Sequence, residues 1–261
     1  MTKIVPLKTE EEIELIRESS LLVGKTLAEV AKFIKPGVKT SELDEIAESY
    51  IRSNHAVQGF KGYNGFPKTL CISINEQVVH GIPGNRVLCE GDIVSVDCGV
   101  LMNGFYGDSA YTFGVGKVKE QYQHLMEITK SSLERGINLA VSGKRVGDIG
   151  YEIQQYVEGF GYSVVRDLVG HGVGRKLHEK PEVPNFGRRG EGMMLTEGMV
   201  ICIEPMINFG KKAVMQERDG WTIRTKDSLP SAHYEHVVAI RKDKAEVLSS
   251  FEEIEQVLNI K

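Results

Sequence analysis

Two segments of this chain are versions of one pattern. Glu90-Gly-Asp-Ile-Val-Ser-Val-Asp97 and Glu197-Gly-Met-Val-Ile-Cys-Ile-Glu204 each run from a Glu-Gly turn through an apolar strand to an acid seven residues after the first glutamate. The echo extends upstream: Gly37 recurs as Gly143 and Tyr50-Ile51 as Tyr156-Val157, each 106 residues on, and Glu90-Gly91 recurs 107 residues on. A nearly constant offset predicts duplicated halves, roughly 9–116 and 117–247, inside a single domain spanning 1–261. Each half then delivers a carboxylate to the same place.

The rest of the grammar fits an α+β chain. Thr9 and Glu12 have capping-box spacing, and Ile13, Ile16, Ser20, Val23, Leu27, Val30 and Ile34 recur at helical intervals up to Pro36-Gly37. A second helix is expected from about Ser41, with Leu43, Ile46, Ala47, Tyr50 and Ile51 on one face, fading near Asn54. Helical patterns return over roughly 119–140 and 147–158, followed by strand-like Tyr162–Val165.

The acids demand company. Asp97 and Glu204 end runs apolar enough to be buried on both faces, where a lone ionised carboxylate is very costly. Neither run contains Lys or Arg, so a cation or a distant basic side chain must compensate. Beyond Asp97, Asn103-Gly104 is a strong hairpin signal; a two-residue turn there sets residue 97 opposite residue 110. Asp108 then shares the parity of Asp97 and lies diagonally across from it, within reach of one ion. Glu235, in the strand-like run Ser231–Ile240, is expected to pair with the Glu204 strand. His171 sits in Gly170-His-Gly-Val-Gly174, whose glycines let the backbone fold around an imidazole, a weak signal by itself. The phosphate-loop pattern G-x-x-x-x-G-K-[ST] is absent. Four carboxylates with one imidazole suit manganese, iron(II), cobalt or zinc, and bridging carboxylates suit two such ions.

Bulk properties narrow the partners. With 32 Lys and Arg against 36 Asp and Glu the net charge is −4, and no long basic run offers a nucleic-acid surface. The N-terminus lacks the apolar stretch of a secretory signal, and no segment reaches the roughly 18 apolar residues of a membrane span. Cys71, Cys89, Cys98 and Cys202 are scattered without a C-x-x-C pair, three of them in apolar runs, which predicts reduced, buried thiols in a cytoplasmic protein.

Taken together, the chain resembles the type I methionine aminopeptidases, in their short bacterial form, along nearly its full length. The resemblance rests on Gly62-Tyr-Asn-Gly-Phe-Pro-Lys68, Cys71–Glu76, Val79-His-Gly-Ile-Pro83, Val96-Asp-Cys-Gly99, Gly107-Asp108, Gly170–Arg175, His178-Glu179, Pro184-Asn185, Ile203-Glu-Pro205, Gly220-Trp-Thr222 and Ala232–His236. It implies a pita-bread fold, with pseudo-twofold related halves and antiparallel sheet covered by helices. It implies a metal set of Asp97, Asp108, His171, Glu204 and Glu235, in which Asp108 and Glu235 bridge two ions. Glu204 is implied as general base, and His80 and His178 as catalytic groups touching the substrate. Tyr63, Phe66, Cys71 and Trp221, with Phe60, are implied to line the methionine pocket. The implied substrate is the N-terminal methionine of nascent polypeptides, cleaved by a monomer with room for transient ribosome contact.

Two positions depart from the family pattern. Leu177 stands where the family usually has Phe before the substrate histidine, and His233 stands where it has Gln. His233 is expected beside the site or on the surface. Two other readings stay open at this level: a proline-directed relative of the aminopeptidase P and prolidase type, and a catalytically silent binding module.

Overall fold

The computed structural model describes residues 5–260, so the reading of the first four residues lies outside it. Helix α1 (Glu10–Ala31) opens on the expected capping box, with the Glu12 amide donating to Thr9 Oγ1 at 3.3 Å and the Thr9 amide donating to Glu12 Oε2 at 3.2 Å. Its periodic residues from Ile13 to Val30 are buried; Ile34 falls beyond its end yet still packs on the core. The remaining helices are α2 (Thr40–Ser53), α3 (Glu120–Asn138), α4 (Val146–Glu158) and a short α5 (Glu252–Val257) against α1.

The hairpin of strands Ile93–Met102 and Phe105–Gly114 turns at Asn103 and Gly104, whose φ angles of 53° and 80° are those of a primed turn. Asp97 faces Ala110 and Gly99 faces Asp108, as the register predicts. Strand Leu70–Ile74 adds to one side of the hairpin, antiparallel, with Cys71 against Asp97. Helix α1 lies directly across the hairpin because residue 107 is glycine: a Cβ there would stand 2.3 Å from the Ser20 amide nitrogen.

A second sheet sets Val200–Ile203 between His236–Ala239 and Gly170–Gly172, and Glu179–Val183 lies beyond the last of these. The run Ser231–Ile240 is not one strand. Ser231–His233 pairs with Met206–Asn208 and His236–Ala239 with Val200–Ile203, so the chain changes sheets at Tyr234-Glu235, across from Glu204-Pro205. Proline cannot donate to a ladder, which is consistent with a break at that point. Glu235 therefore lies between the two regular strands, and it lines the cavity described below.

The echo in sequence has counterparts in backbone bonding. The Gly37 amide donates to Leu88 O at 2.8 Å and the Gly143 amide to Leu195 O at 3.0 Å, and the bridges Lys39–Val87 and Arg145–Met194 match. Gly91 and Gly198 turn with φ of 88° and 87°, donating to Val115 O and Ile240 O. Segments from the two sides of the echo meet at the Ala110–Glu235 bridge, where the Glu235 amide donates to Ala110 O at 3.0 Å. Thr112 and His233 continue the seam: Thr112 Oγ1 donates to His233 O and accepts from the His233 amide. Asp97, Asp108, Glu204 and Glu235 all lie beside this seam. One large apolar core packs the helices against the sheets.

Candidate metal centre

The five predicted ligands converge from separate elements. His171 is oriented by its own strand: Nδ1 lies 3.0 Å from Gly172 O and donates to it, so Nε2 is left with a free lone pair. That Nε2 lies 3.5 Å from Glu204 Oε1 and 3.9 Å from Asp108 Oδ2. Burial pushes the imidazole down to about 3, with the neighbouring His178 adding to the effect, so His171 is neutral at physiological pH and can act as a ligand. The ligand atoms of Asp108, His171, Cys202 and Glu235 fall within 4.8 Å of one another. Asp97 joins this group through Asp108, which donates a hydrogen bond to it.

Electrostatically the site is unsatisfied. Burial holds Asp97 up at about 7 and drives Asp108, Glu204 and Glu235 well above the usual carboxylate range; mutual repulsion raises the last three further. One oxygen of each (Asp97 Oδ1, Asp108 Oδ1, Glu204 Oε1, Glu235 Oε1) is buried without a hydrogen-bond partner. Among the described residues, no Lys or Arg forms a salt bridge with any of the four. Four orphaned hard oxygens facing one neutral imidazole fit divalent cations and fit no other compensation in the fold.

The acids form one wall of a cavity of about 340 Å³. Its opposite wall is apolar, with Phe60, Phe66, Cys71 and Leu177 buried and Tyr63 and Trp221 packed against them. Phe66 meets Trp221 edge-to-face at 5.2 Å. Gly99 makes room for Phe60, whose ring would lie 2.5 Å from a Cβ at that position. His80 and His178 sit between the walls. Burial pushes His80 down to about 4 and lowers His178 as well, so both are neutral imidazoles near neutral pH. The His178 ring lies 4.1 Å from that of His171 by centroids, tilted 52° to it, and its Nδ1 lies 2.9 Å from Tyr63 Oη.

The five candidate ligands, His80 and His178, and Phe60, Tyr63, Phe66, Cys71, Leu177 and Trp221 thus line one cavity, whereas His233 is not among its lining residues. Asn64 joins them unpredicted. The sequence marks Cys202 as a buried thiol, and its strand parity with Glu204 is the signal for its place among the ligand atoms of Asp108, His171 and Glu235. Cys71 and Cys98 are buried as expected, whereas Cys89 is exposed, because it precedes the Glu90-Gly91 turn rather than lying in a strand. His233 is buried, not on the surface, and both its ring nitrogens lack partners.

The sequence profile of metallopeptidase family M24 matches residues 14–242. The chain belongs to metallopeptidase family M24. Among M24 proteins, it is 52% identical over 246 residues to a methionine aminopeptidase of Clostridium perfringens, covering 94% of this chain and 99% of that one. Methionine aminopeptidase 1 of Bacillus subtilis is 46% identical over 242 residues, covering 93% and 98%. The crystal structure of methionine aminopeptidase from Rickettsia prowazekii superposes with a TM-score of 0.93 at 40% identity, over 95% of this chain and all of that one. The M24 fold is shared more widely: a Pyrococcus horikoshii prolidase matches with a TM-score of 0.75 at 22% identity, and this chain spans 63% of its length.

Proposed function

We infer that this chain is a metal-dependent methionine aminopeptidase, hydrolysing the peptide bond that follows an N-terminal methionine. The observation that carries the reading is the pairing of two walls in one cavity: four buried carboxylates with orphaned oxygens and one neutral imidazole face an apolar, thiol-bearing surface suited to a thioether. Asp97 would hold one divalent ion, His171 and Glu204 the other, and Asp108 and Glu235 would bridge them. When bound, such ions acidify water and polarise the scissile carbonyl. Cobalt, manganese, iron and zinc all suit this donor set.

The chain's own groups supply the rest. Glu204, whose burial keeps it protonated until a cation compensates its charge, would then as a carboxylate take a proton from the attacking water and release it toward the leaving amine. With the Tyr63 hydroxyl donating to Nδ1, the ring proton of His178 sits on Nε2, where it can donate to the developing oxyanion. His80, held neutral by burial, can donate to the substrate amide. Phe60, Tyr63, Phe66, Cys71, Leu177 and Trp221 exclude water around the methionine side chain.

The same reading takes residues 1–261 as one catalytic domain built of duplicated halves, 9–116 and 117–247, with the metals on the seam between them. It takes the protein as a monomer acting in the cytoplasm on nascent chains, with transient ribosome contact. Among the described residues no helix is long and apolar enough to cross a membrane.

Release of methionine from Met-Gly-Met by metal-loaded protein, set against Xaa-Pro substrates, tests the activity; preference for Xaa-Pro would move the chain to the proline-directed relatives. Metal content by elemental analysis tests the silent-module alternative. Asp97→Ala or His171→Ala should cost at least about 100-fold in turnover, since even partners that merely orient metal ligands are worth 10–100-fold. A loss below about tenfold sinks the ligand assignment.

A further inference from the structure

The segment preceding α1 reaches the catalytic cavity through one buried ion pair. Lys8 Nζ donates to Glu179 Oε2 at 2.5 Å, with the two side chains only 5% and 9% exposed. The partners lie 171 residues apart in sequence. The Lys8 amide also donates to Gly198 O at 2.7 Å, which anchors the arm to the Glu197-Gly198 turn of the second half. Gly174 accommodates the lysine: a Cβ there would meet Lys8 Cε at 2.5 Å and Nζ at 2.9 Å.

Glu179 faces two ways. While Oε2 takes the lysine, Oε1 accepts from the Lys176 amide at 3.1 Å, closing the short segment Lys176-Leu177-His178 on itself. That segment carries Leu177 of the apolar wall and His178 of the candidate machinery. Its other ties are few. The Tyr106 amide donates to Gly174 O at 2.8 Å, the Gly174 amide to Lys176 O at 3.1 Å, and Tyr63 Oη meets His178 Nδ1. His178 and Lys176 themselves are exposed, so packing alone does not hold them. On its outer side the segment borders a cleft of about 710 Å³ lined by Pro6 of the arm together with His171, His178 and Lys180.

We propose that Lys8 is a positioning residue: through Glu179 it fixes the backbone of Lys176–His178, and with it the His178 imidazole. Sequence distance hides this role. A lysine ahead of the first helix reads as solvated, and only the tertiary fold brings it under the loop of the opposite half. The proposal rests on the reading of His178 as a substrate-contacting group, and its test has an arm independent of activity.

Lys8→Met should lower kcat on Met-Gly-Met about tenfold with KM changed less than about threefold, because small displacements of a reacting group cost rate more than binding. Lys8→Arg should restore most of the loss. In a His178→Ala background, Lys8→Met should have less than a twofold further effect, since the two changes act through one group. Equal factors in both backgrounds, or no loss of kcat from Lys8→Met alone, overturn the proposal. The double change Lys8→Met/Glu179→Gln keeps an acceptor for the Lys176 amide and leaves neither charge of the pair buried alone. It supplies the same comparison should Lys8→Met fail to fold, and additivity with His178→Ala would overturn the proposal there too. Hydrogen exchange provides the separate arm: protection of the Lys176 amide should fall at least about fivefold in Lys8→Met, while that of Asp97 in the hairpin is unchanged. Unchanged protection at Lys176 refutes the positioning role whatever the substrate; a wild-type protein that loads metal yet leaves Met-Gly-Met intact refutes the functional reading instead.

Discussion

Asp97→Asn should make the metal-free protein more stable at pH 8 and should remove much of the stabilisation that divalent metal confers. Burial holds the Asp97 carboxyl at about 7, against an ordinary 3.8, even though a hydrogen bond from Asp108 and another from the Cys98 amide favour its charged form. Between about pH 4 and pH 7 the folded protein therefore keeps a proton that the unfolded chain has released. The sign follows: this group's contribution is fully present below pH 4, is lost as pH rises through that window, and is flat above about 7. Roughly three pH units at about 1.4 kcal/mol each give ~4 kcal/mol. Asp108 shares the proton, so this is an upper bound. An amide has no charge to desolvate. The EDTA-treated variant should exceed wild type by up to about 4 kcal/mol at pH 8 and by little at pH 4. Metal reverses the order, since an ion present at 100 times its Kd adds about 2.7 kcal/mol to wild type, and the variant forfeits most of it. Urea unfolding at pH 4, 6 and 8, in EDTA and in metal, reads all of this directly. An EDTA-treated Asp97→Asn no more stable than wild type at pH 8 would refute the claim that the carboxylates are an electrostatic burden without metal.

Two further substitutions probe the frame around the site. Gly107→Ala drives a methyl to within 2.3 Å of the Ser20 backbone and should cost about 3 kcal/mol or more, since rigid α1 must move off the hairpin that carries Asp108; a melting temperature within 2 °C of wild type would contradict that packing. Leu177→Ala removes a buried part of the apolar wall, so it should lower kcat/KM for Met-Gly-Met about tenfold, as loss of one to two methylene contacts in a pocket does. A lowered melting temperature with kcat/KM untouched would take Leu177 out of the pocket wall.

Much of this was legible in the chain because it is written in local physics. Helix α1 follows from a capping box and a 3.6-residue apolar period, and the hairpin register follows from Asn103-Gly104, because a two-residue turn leaves one way to pair the strands. The acids were conspicuous because carboxylates in apolar runs without Lys or Arg need a cation, and the repeat of Asp97 as Glu204 set one in each half. The apolar wall proposed to hold the methionine side chain was legible only by resemblance, since Phe60, Phe66 and Leu177 are ordinary core residues by pattern.

What tertiary structure alone decided lies where distant segments meet. The Ser231–Ile240 run looked continuous, yet it divides between two sheets at Glu235, because its neighbours Met206–Asn208 and Val200–Ile203 belong to different sheets. Strand periodicity fixes which face a side chain takes and says nothing of which partner strand it takes. The buried His233 ring without partners and the Lys8–Glu179 pair share that origin. Each depends on loop closure across many residues, and a contact of that kind leaves no period, turn or composition in the chain by which to read it.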